Sequence, residues 1–435
     1  NNQQEETRRF GTSFGTLMAM IGCAVGLGNV WRFPYMAGKY GGGAFLIIYL
    51  ICSIFFCIPA LMAEWTFGRA LRKGPVGALR DSGMPEGKWL GAILIFAAFM
   101  ATSYYTVVVG WTLKYLIASI AKEYSGLNTE KYFLNVTGSF SSQALYTFLV
   151  IGSVILILYL GIKKGIERVS KYSIPLLFIL LIILAVRSLT LPGAGKGIRF
   201  YLNPDFSLIT PATFLTALGQ AFFSLGLGGT FMLVYSTYLK EDYSIPLNAG
   251  ITSFGDILAS FTAGLVVLPA VYAFNLEPSS GPPLTYITLP SVFNSMDNGL
   301  LYGSIFFLAL FIAALLSDVV AFEVLINMVI DELKFTRKKA LVFFGIAEFF
   351  LAIPSMLSIK YIEKSDLIWG STMQSFGSII VIIGLTWFLG KEKAINEITK
   401  GSKFKFSLLW FYWIKYIVPL IVGLIFINQI ISIIF

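Results

Sequence analysis

Residues 22–34 read Gly-Cys-Ala-Val-Gly-Leu-Gly-Asn-Val-Trp-Arg-Phe-Pro, placing three glycines, an amide and a guanidinium inside the first long apolar stretch of the chain. Glycine costs a helix about 1 kcal/mol relative to alanine, and backbone groups released from their ladder in hydrocarbon must find other partners. A break there presents carbonyl oxygens from one half-helix and amide N–H groups from the next, which suits a cation beside a carboxylate. A second interruption follows at Gln220-Ala221-Phe222-Phe223-Ser224-Leu225-Gly226-Leu227-Gly228-Gly229-Thr230. Glu64 and Gln220 read as polar supports for the freed backbone. The chemistry to expect is the holding of an ion and an anionic solute at the membrane midplane. Enzymatic chemistry is not expected, because the chain has no histidine and shows no nucleophile–base pair or metal cluster.

The elements that must position these residues are membrane helices. Of 435 residues, 57% are hydrophobic and 13% charged, and the mean hydropathy is +0.78. A soluble domain of that balance would aggregate. Apolar runs long enough to span predict eleven helices, at 12–38, 44–70, 90–120, 141–162, 167–190, 208–238, 245–273, 300–330, 338–357, 366–390 and 408–433. The net charge of +9 is spread over short loops: Arg69, Arg72, Lys73 and Arg80 follow span two, Lys163 to Lys171 span four, Lys334 to Lys339 span eight, and Lys391 to Lys405 span ten. Nucleic acid is therefore not an expected partner. The positive-inside rule makes those loops cytoplasmic, with the N-terminus inside and the C-terminus outside. The expected location is the cell membrane, crossed many times, with lipid as the solvent and no obligatory protein partner. Cys23, Cys52 and Cys57 all fall in apolar spans and read as small buried hydrophobes.

Spans one and six are interrupted at the same ordinal place, as in transporters built from two inverted halves. Spans one to five (10–190) form one expected repeat and spans six to ten (206–390) the other. Span eleven (408–433) is left as an appendage, and the whole chain (1–435) is expected to be one transmembrane domain.

The run GLGNVWRFP, the following GGGAF, Glu64-Trp65-Thr66-Phe67-Gly68-Arg69 and QAFFSLGLGG resemble the neurotransmitter:sodium symporter family, bacterial amino-acid branch. Among its members the chain is most similar to bacterial sodium-dependent carriers of tyrosine and other aromatic amino acids. The resemblance implies an all-α, alternating-access fold of the bacterial leucine-transporter type, with unwound helices one and six and a 5+5 inverted repeat. It also implies a sodium-coupled amino-acid symporter of the bacterial inner membrane.

Carried over residue by residue, the resemblance gives a first sodium site of Ala24, Asn29, Ser224 and Asp256. The substrate carboxylate would meet Leu27, Gly28 and the hydroxyl of Tyr105, and the substrate ammonium the carbonyls of Ala24, Phe223 and Ser224. Without the resemblance, Tyr105 reads as a packed aromatic. A second sodium site would use Gly22, Val25, Ala313 and Ser317. Leu316 occupies a ligand position of that site, so Asp318 would substitute in a shifted helix, or the site is depleted. One or two sodium ions are thus implied. Asp256 stands where the family commonly has Asn, and Ser260 where bacterial members keep Glu. The relocated carboxylate implies chloride-independent transport. Arg32 and Asp366 are the expected outer gate, and Asp331 with Arg8 or Arg9 the inner one.

Small residues at Ala101, Gly226, Gly229 and Ala321 enlarge the pocket implied by the family. A side chain larger than leucine is expected to fit, favouring tyrosine, with phenylalanine and tryptophan also accepted. A polar wall near Ser317 or Asp318 would meet the tyrosine hydroxyl. The alternative reading is a non-transporting amino-acid sensor with the same fold.

Overall fold

The structure is a computed structural model that describes residues 9–278, 284–403 and 408–434. Regular structure among the described residues is entirely helical. Runs of Leu, Ile, Phe and Ala favour helix, and in hydrocarbon only a helix satisfies every backbone group within its own segment.

Nine continuous helices among the described residues are long and apolar enough to cross a membrane: Gly43–Leu71, Gly87–Ile120, Phe140–Tyr159, Ile162–Leu189, Ile245–Ala273, Gly299–Leu333, Arg337–Leu357, Ile359–Leu389 and Leu408–Ile433. A tenth crossing is the pair Ser13–Ala24 and Gly28–Lys39, bent by 50°. A second interruption separates the helices Pro211–Ser224 and Phe231–Ser236, on either side of residues 225–230. Phe254, Leu409 and Leu420 are among many large apolar side chains exposed on the outside of the bundle, where lipid would cover them.

Most boundaries fall close to the expected ones. Span ten differs, starting at Ile359 instead of near residue 366, because the Ser358 side chain accepts the Tyr361 N–H and caps the helix. Asp366 consequently stands about two turns inside the span and not at its outer start. Spans three and eight pack along each other and enclose the breaks in spans one and six. Span seven lies behind the first half-helix, with Gly255 so close to Ile21 that a Cβ would sit 3.2 Å from it.

Candidate substrate and ion site

Both helix breaks are stabilised by specific side chains. In span one the regular ladder ends with Val25 N–H donating to the Ile21 carbonyl at 2.7 Å, which leaves the carbonyls of Gly22, Cys23 and Ala24 as the open end of the first half-helix. The freed N–H of Gly26 donates to Asn29 Oδ1 at 2.9 Å, and the Gly28 carbonyl accepts from Gln220 Nε2 at 2.8 Å. In span six, Gly226 and Gly229 take left-handed backbone, at φ 64° and 71°, which L side chains rarely adopt. The N–H groups of Gly228 and Gly229 both donate to Glu64 Oε1, at 2.9 and 3.1 Å.

Between the breaks lies a nest of oxygens. Asn29 Nδ2 has four oxygen neighbours: Ser224 Oγ at 2.8 Å, the Asp256 carbonyl at 3.0 Å, Asp256 Oδ1 at 2.7 Å and Ser260 Oγ at 2.9 Å. An amide NH2 has only two hydrogens, so acceptors are oversupplied around this point. Ser224 Oγ donates to Asp256 Oδ1 at 2.7 Å, and Tyr49 Oη donates to Asp256 Oδ2 at 3.0 Å. Asn29, Tyr49, Asp256 and Ser260 are fully buried, and no cationic side chain is within ion-pair distance of Asp256 among the described residues. A buried carboxylate without a counter-charge is costly. A small hard cation suits an all-oxygen donor set of this kind.

A cavity opens beside the nest. Ala24, Leu27, Gly28, Ala101, Tyr105, Phe223, Ser224, Gly226, Ser317 and Ala321 all line it. The buried Tyr105 hydroxyl faces Ser317 and the Leu27 backbone, and a Cβ on Gly26 would lie 3.3 Å from it. Gly229 does not line this cavity. It packs on span ten, where a Cβ would come within 2.6 Å of Val381 and 2.9 Å of the Gly377 carbonyl. The cavity continues past Ala101, Phe231, Gly370 and Gln374 into a smaller annex bordered by Ala97, Ala98 and Thr230.

The proposed second ion site is poorly furnished. Ser317 Oγ approaches the Val25 carbonyl only to 3.4 Å. The hydrocarbon of Leu316 lies over Gly22, 3.4 Å from where a Cβ would be, and Ala313 is buried in the intact helix one turn earlier. Asp318 is not gathered with them. Each residue turns a helix by about 100°, and Asp318 is instead directed at span three, accepting from Thr106 Oγ1 at 3.0 and 3.2 Å.

The gate residues are only partly brought together. Arg32 lies over the Phe223 ring at 4.3 Å and donates to Ser371 at 3.2 Å, while Asp366 accepts from Tyr104 at 2.8 Å. No Arg32–Asp366 ion pair is formed among the described residues, although both residues line one cavity. Arg8 lies outside the described residues. Phe10 is buried against Tyr235 and Tyr238, and its N–H donates to the Tyr238 carbonyl at 3.3 Å. Asp331 ends span eight next to Lys334, whose Nζ bonds the Asp331 carbonyl at 2.6 Å.

Sequence reasoning missed three participants. Tyr49 was hidden among aromatic neighbours, and Gln374 in a span read only for its apolar content. Glu167 accepts the N–H groups of Gly11 and Thr12 at 2.6 and 3.0 Å, holding the start of the first half-helix.

Comparison with known proteins agrees with this architecture. The model of the sodium:neurotransmitter symporter family matches residues 8–135 and 129–434. An uncharacterized sodium-dependent transporter of Haemophilus influenzae is 35% identical, covering 99% of both chains. The uncharacterized sodium-dependent transporter YhdH of Bacillus subtilis is 33% identical, covering 98% of both. The crystal structure of MhsT in complex with L-phenylalanine superposes with a TM-score of 0.88 at 32% identity, covering 97% of this chain and 99% of that one. The fold is thus the bacterial leucine-transporter type with unwound helices one and six, and these relatives are transporters, not enzymes. With its paired helix breaks, oxygen nest and adjoining cavity, the chain belongs to the sodium:neurotransmitter symporter family.

Proposed function

We propose that this protein couples the sodium gradient to inward transport of a hydrophobic L-amino acid, with aromatic side chains preferred and tyrosine favoured. The observation that carries this reading is the contact of the oxygen nest with the cavity through Ser224, whose hydroxyl bonds Asp256 and whose residue lines the cavity wall. Sodium among Asn29, Ser224, Asp256 and the Ala24 carbonyl would lie beside a substrate carboxylate held by the Leu27 and Gly28 amides and Tyr105. The ion and the substrate would then each complete the other's surroundings, which couples their binding.

The small residues Ala101, Gly226 and Ala321 line the cavity, with Phe223 and Phe231 available to pack on a ring. The structure of MhsT with L-phenylalanine is consistent with that preference. Asp256 supplies a fixed negative charge beside the ion, so transport proceeds without chloride. The first site carries the coupling ion, and Leu316 weakens the second. Repeats at 10–190 and 206–390 rock about this site, with basic loops and the N-terminus on the cytoplasmic side of the bacterial inner membrane.

Equilibrium binding of labelled tyrosine to the purified protein tests this reading. Binding that requires sodium, fails in potassium and is displaced by phenylalanine or tryptophan is the expected result. Sodium-dependent binding of alanine or glycine in preference to every aromatic amino acid would refute the aromatic assignment.

A further inference from the structure

The polar side chains lining the cavity are mostly committed to other partners. Thr102 Oγ1 donates to the Ala98 carbonyl at 2.7 Å, Tyr104 Oη to Asp366 at 2.8 Å and Ser224 Oγ to Asp256 at 2.7 Å. Ser317 Oγ is directed at the Val25 carbonyl. Gln374 Oε1, a buried lining atom, has no hydrogen-bond partner among the described residues, whereas the Tyr105 hydroxyl faces Ser317 and the Leu27 backbone. Tyr105 stands by Gly26, next to the helix break and hence at the end assigned to the substrate carboxylate.

Gln374 marks the other end. It borders both the main cavity and the annex. Its stem packs on the unwound backbone of span six, with a Cβ on Gly228 falling 3.0 Å from Gln374 Cγ. Gly228 is in turn fixed by Glu64. The carboxamide is therefore carried on a rigid base at the mouth of a small chamber otherwise walled mainly by hydrocarbon, including Leu94, Ala97, Ala98 and Met373. An unpaired acceptor in such surroundings forfeits its hydration without compensation.

We infer that Gln374 reads the far end of the substrate side chain and selects aromatic amino acids that carry a hydrogen-bond donor there, the phenol of tyrosine or the indole of tryptophan. This rests on the assignment of the cavity to an aromatic amino acid. A phenol or indole donor satisfies Gln374 Oε1, whereas a bare phenyl ring seals it from water with no partner. A site built to bond a substrate hydroxyl discriminates against the analogue that lacks it. Gln374, and not Ser317 or Asp318, is then the polar wall that meets tyrosine.

The test is sodium-dependent competition against labelled tyrosine, using unlabelled tyrosine, phenylalanine and 4-fluorophenylalanine, on the wild type and on Gln374→Met, which keeps the volume and removes the acceptor. In the wild type, tyrosine is expected to bind roughly 5- to 30-fold more tightly than phenylalanine, the effect of one buried hydrogen bond. The fluoro compound, similar in size to tyrosine but without a donor, should behave like phenylalanine. In Gln374→Met the tyrosine advantage should collapse to about twofold or less, with phenylalanine binding retained. Equal wild-type binding of all three compounds overturns the inference, as does an unchanged tyrosine advantage in Gln374→Met. The wild-type comparison decides the matter if the variant does not fold. If no aromatic amino acid binds while a small aliphatic one does, the aromatic assignment itself fails, which is distinct from aromatic binding without a donor preference.

Discussion

Asn29 of span one and Asp256 of span seven meet at 2.7 Å, amide nitrogen to carboxylate oxygen, in a fully buried position where two further hydroxyls crowd the same nitrogen. A cation in this nest would displace the amide N–H contacts, and rotation of the Asn29 amide would present its oxygen instead. The carboxylate is the only full charge there among the described residues. Asp256→Asn should therefore raise the sodium concentration for half-maximal tyrosine binding by at least about 30-fold, roughly 2 kcal/mol. Sodium titration of labelled tyrosine binding checks this, and an unchanged midpoint would place the coupling ion elsewhere.

Ala321 of span eight and Ala101 of span three line the cavity where a bulkier side chain would shorten it. Ala321→Leu should weaken tyrosine binding by about tenfold or more, since overpacking costs about 1–3 kcal/mol, while leucine or alanine is retained. Competition assays on the variant decide the point. A uniform loss for all substrates would indicate misfolding instead of altered volume.

Glu323, almost wholly buried, accepts from Arg337 Nη1 and Nη2 at 3.0 and 2.6 Å and from Tyr238 Oη at 2.8 Å. This group ties spans six, eight and nine together. Arg337→Leu leaves the carboxylate short of partners and should destabilise the protein by about 1–3 kcal/mol. Thermal unfolding in detergent measures it, and Glu323→Gln added to Arg337→Leu should recover part of the loss.

Glu397, on the helix Lys391–Thr399 outside the spans, pairs with Arg69 at 2.6 Å and Lys400 at 2.9 Å. Burial pushes its carboxyl up, but Lys400 and Arg69 outweigh that and hold it below its ordinary value. A lowered folded value means the pairing adds stability above the ordinary glutamate range, about 4.3, and loses it as pH falls through the lowered value. The melting-temperature gap between wild type and Glu397→Gln should be full at pH 7 and close towards pH 3. A gap independent of pH would contradict the pairing.

The sequence made the helix breaks legible because glycine clusters in a membrane span have few uses, and those breaks in turn located the cavity around Ala24, Gly28, Phe223 and Ser224. Side-chain direction was harder to read. Ser317 and Asp318 are neighbours in the chain, yet the helix turns one towards span one and the other towards span three. Gly226 and Gly229 belong to one glycine cluster, but only Gly226 borders the cavity, because the unwound backbone has no fixed period. Gln374 gave no signal, since a single amide in an apolar span acquires meaning only from what it faces. The Arg32–Asp366 pair was expected from charge and position, and the Tyr104 hydrogen bond to Asp366 was not foreseen.

The most direct measurement is accumulation of labelled tyrosine in proteoliposomes under an inward sodium gradient, with chloride fully replaced by gluconate. Sodium-driven uptake above equilibrium, undiminished without chloride and absent when potassium replaces sodium, is the expected result. Uptake that collapses in gluconate would contradict the role given to Asp256, and tyrosine binding without accumulation under any sodium gradient would contradict symport.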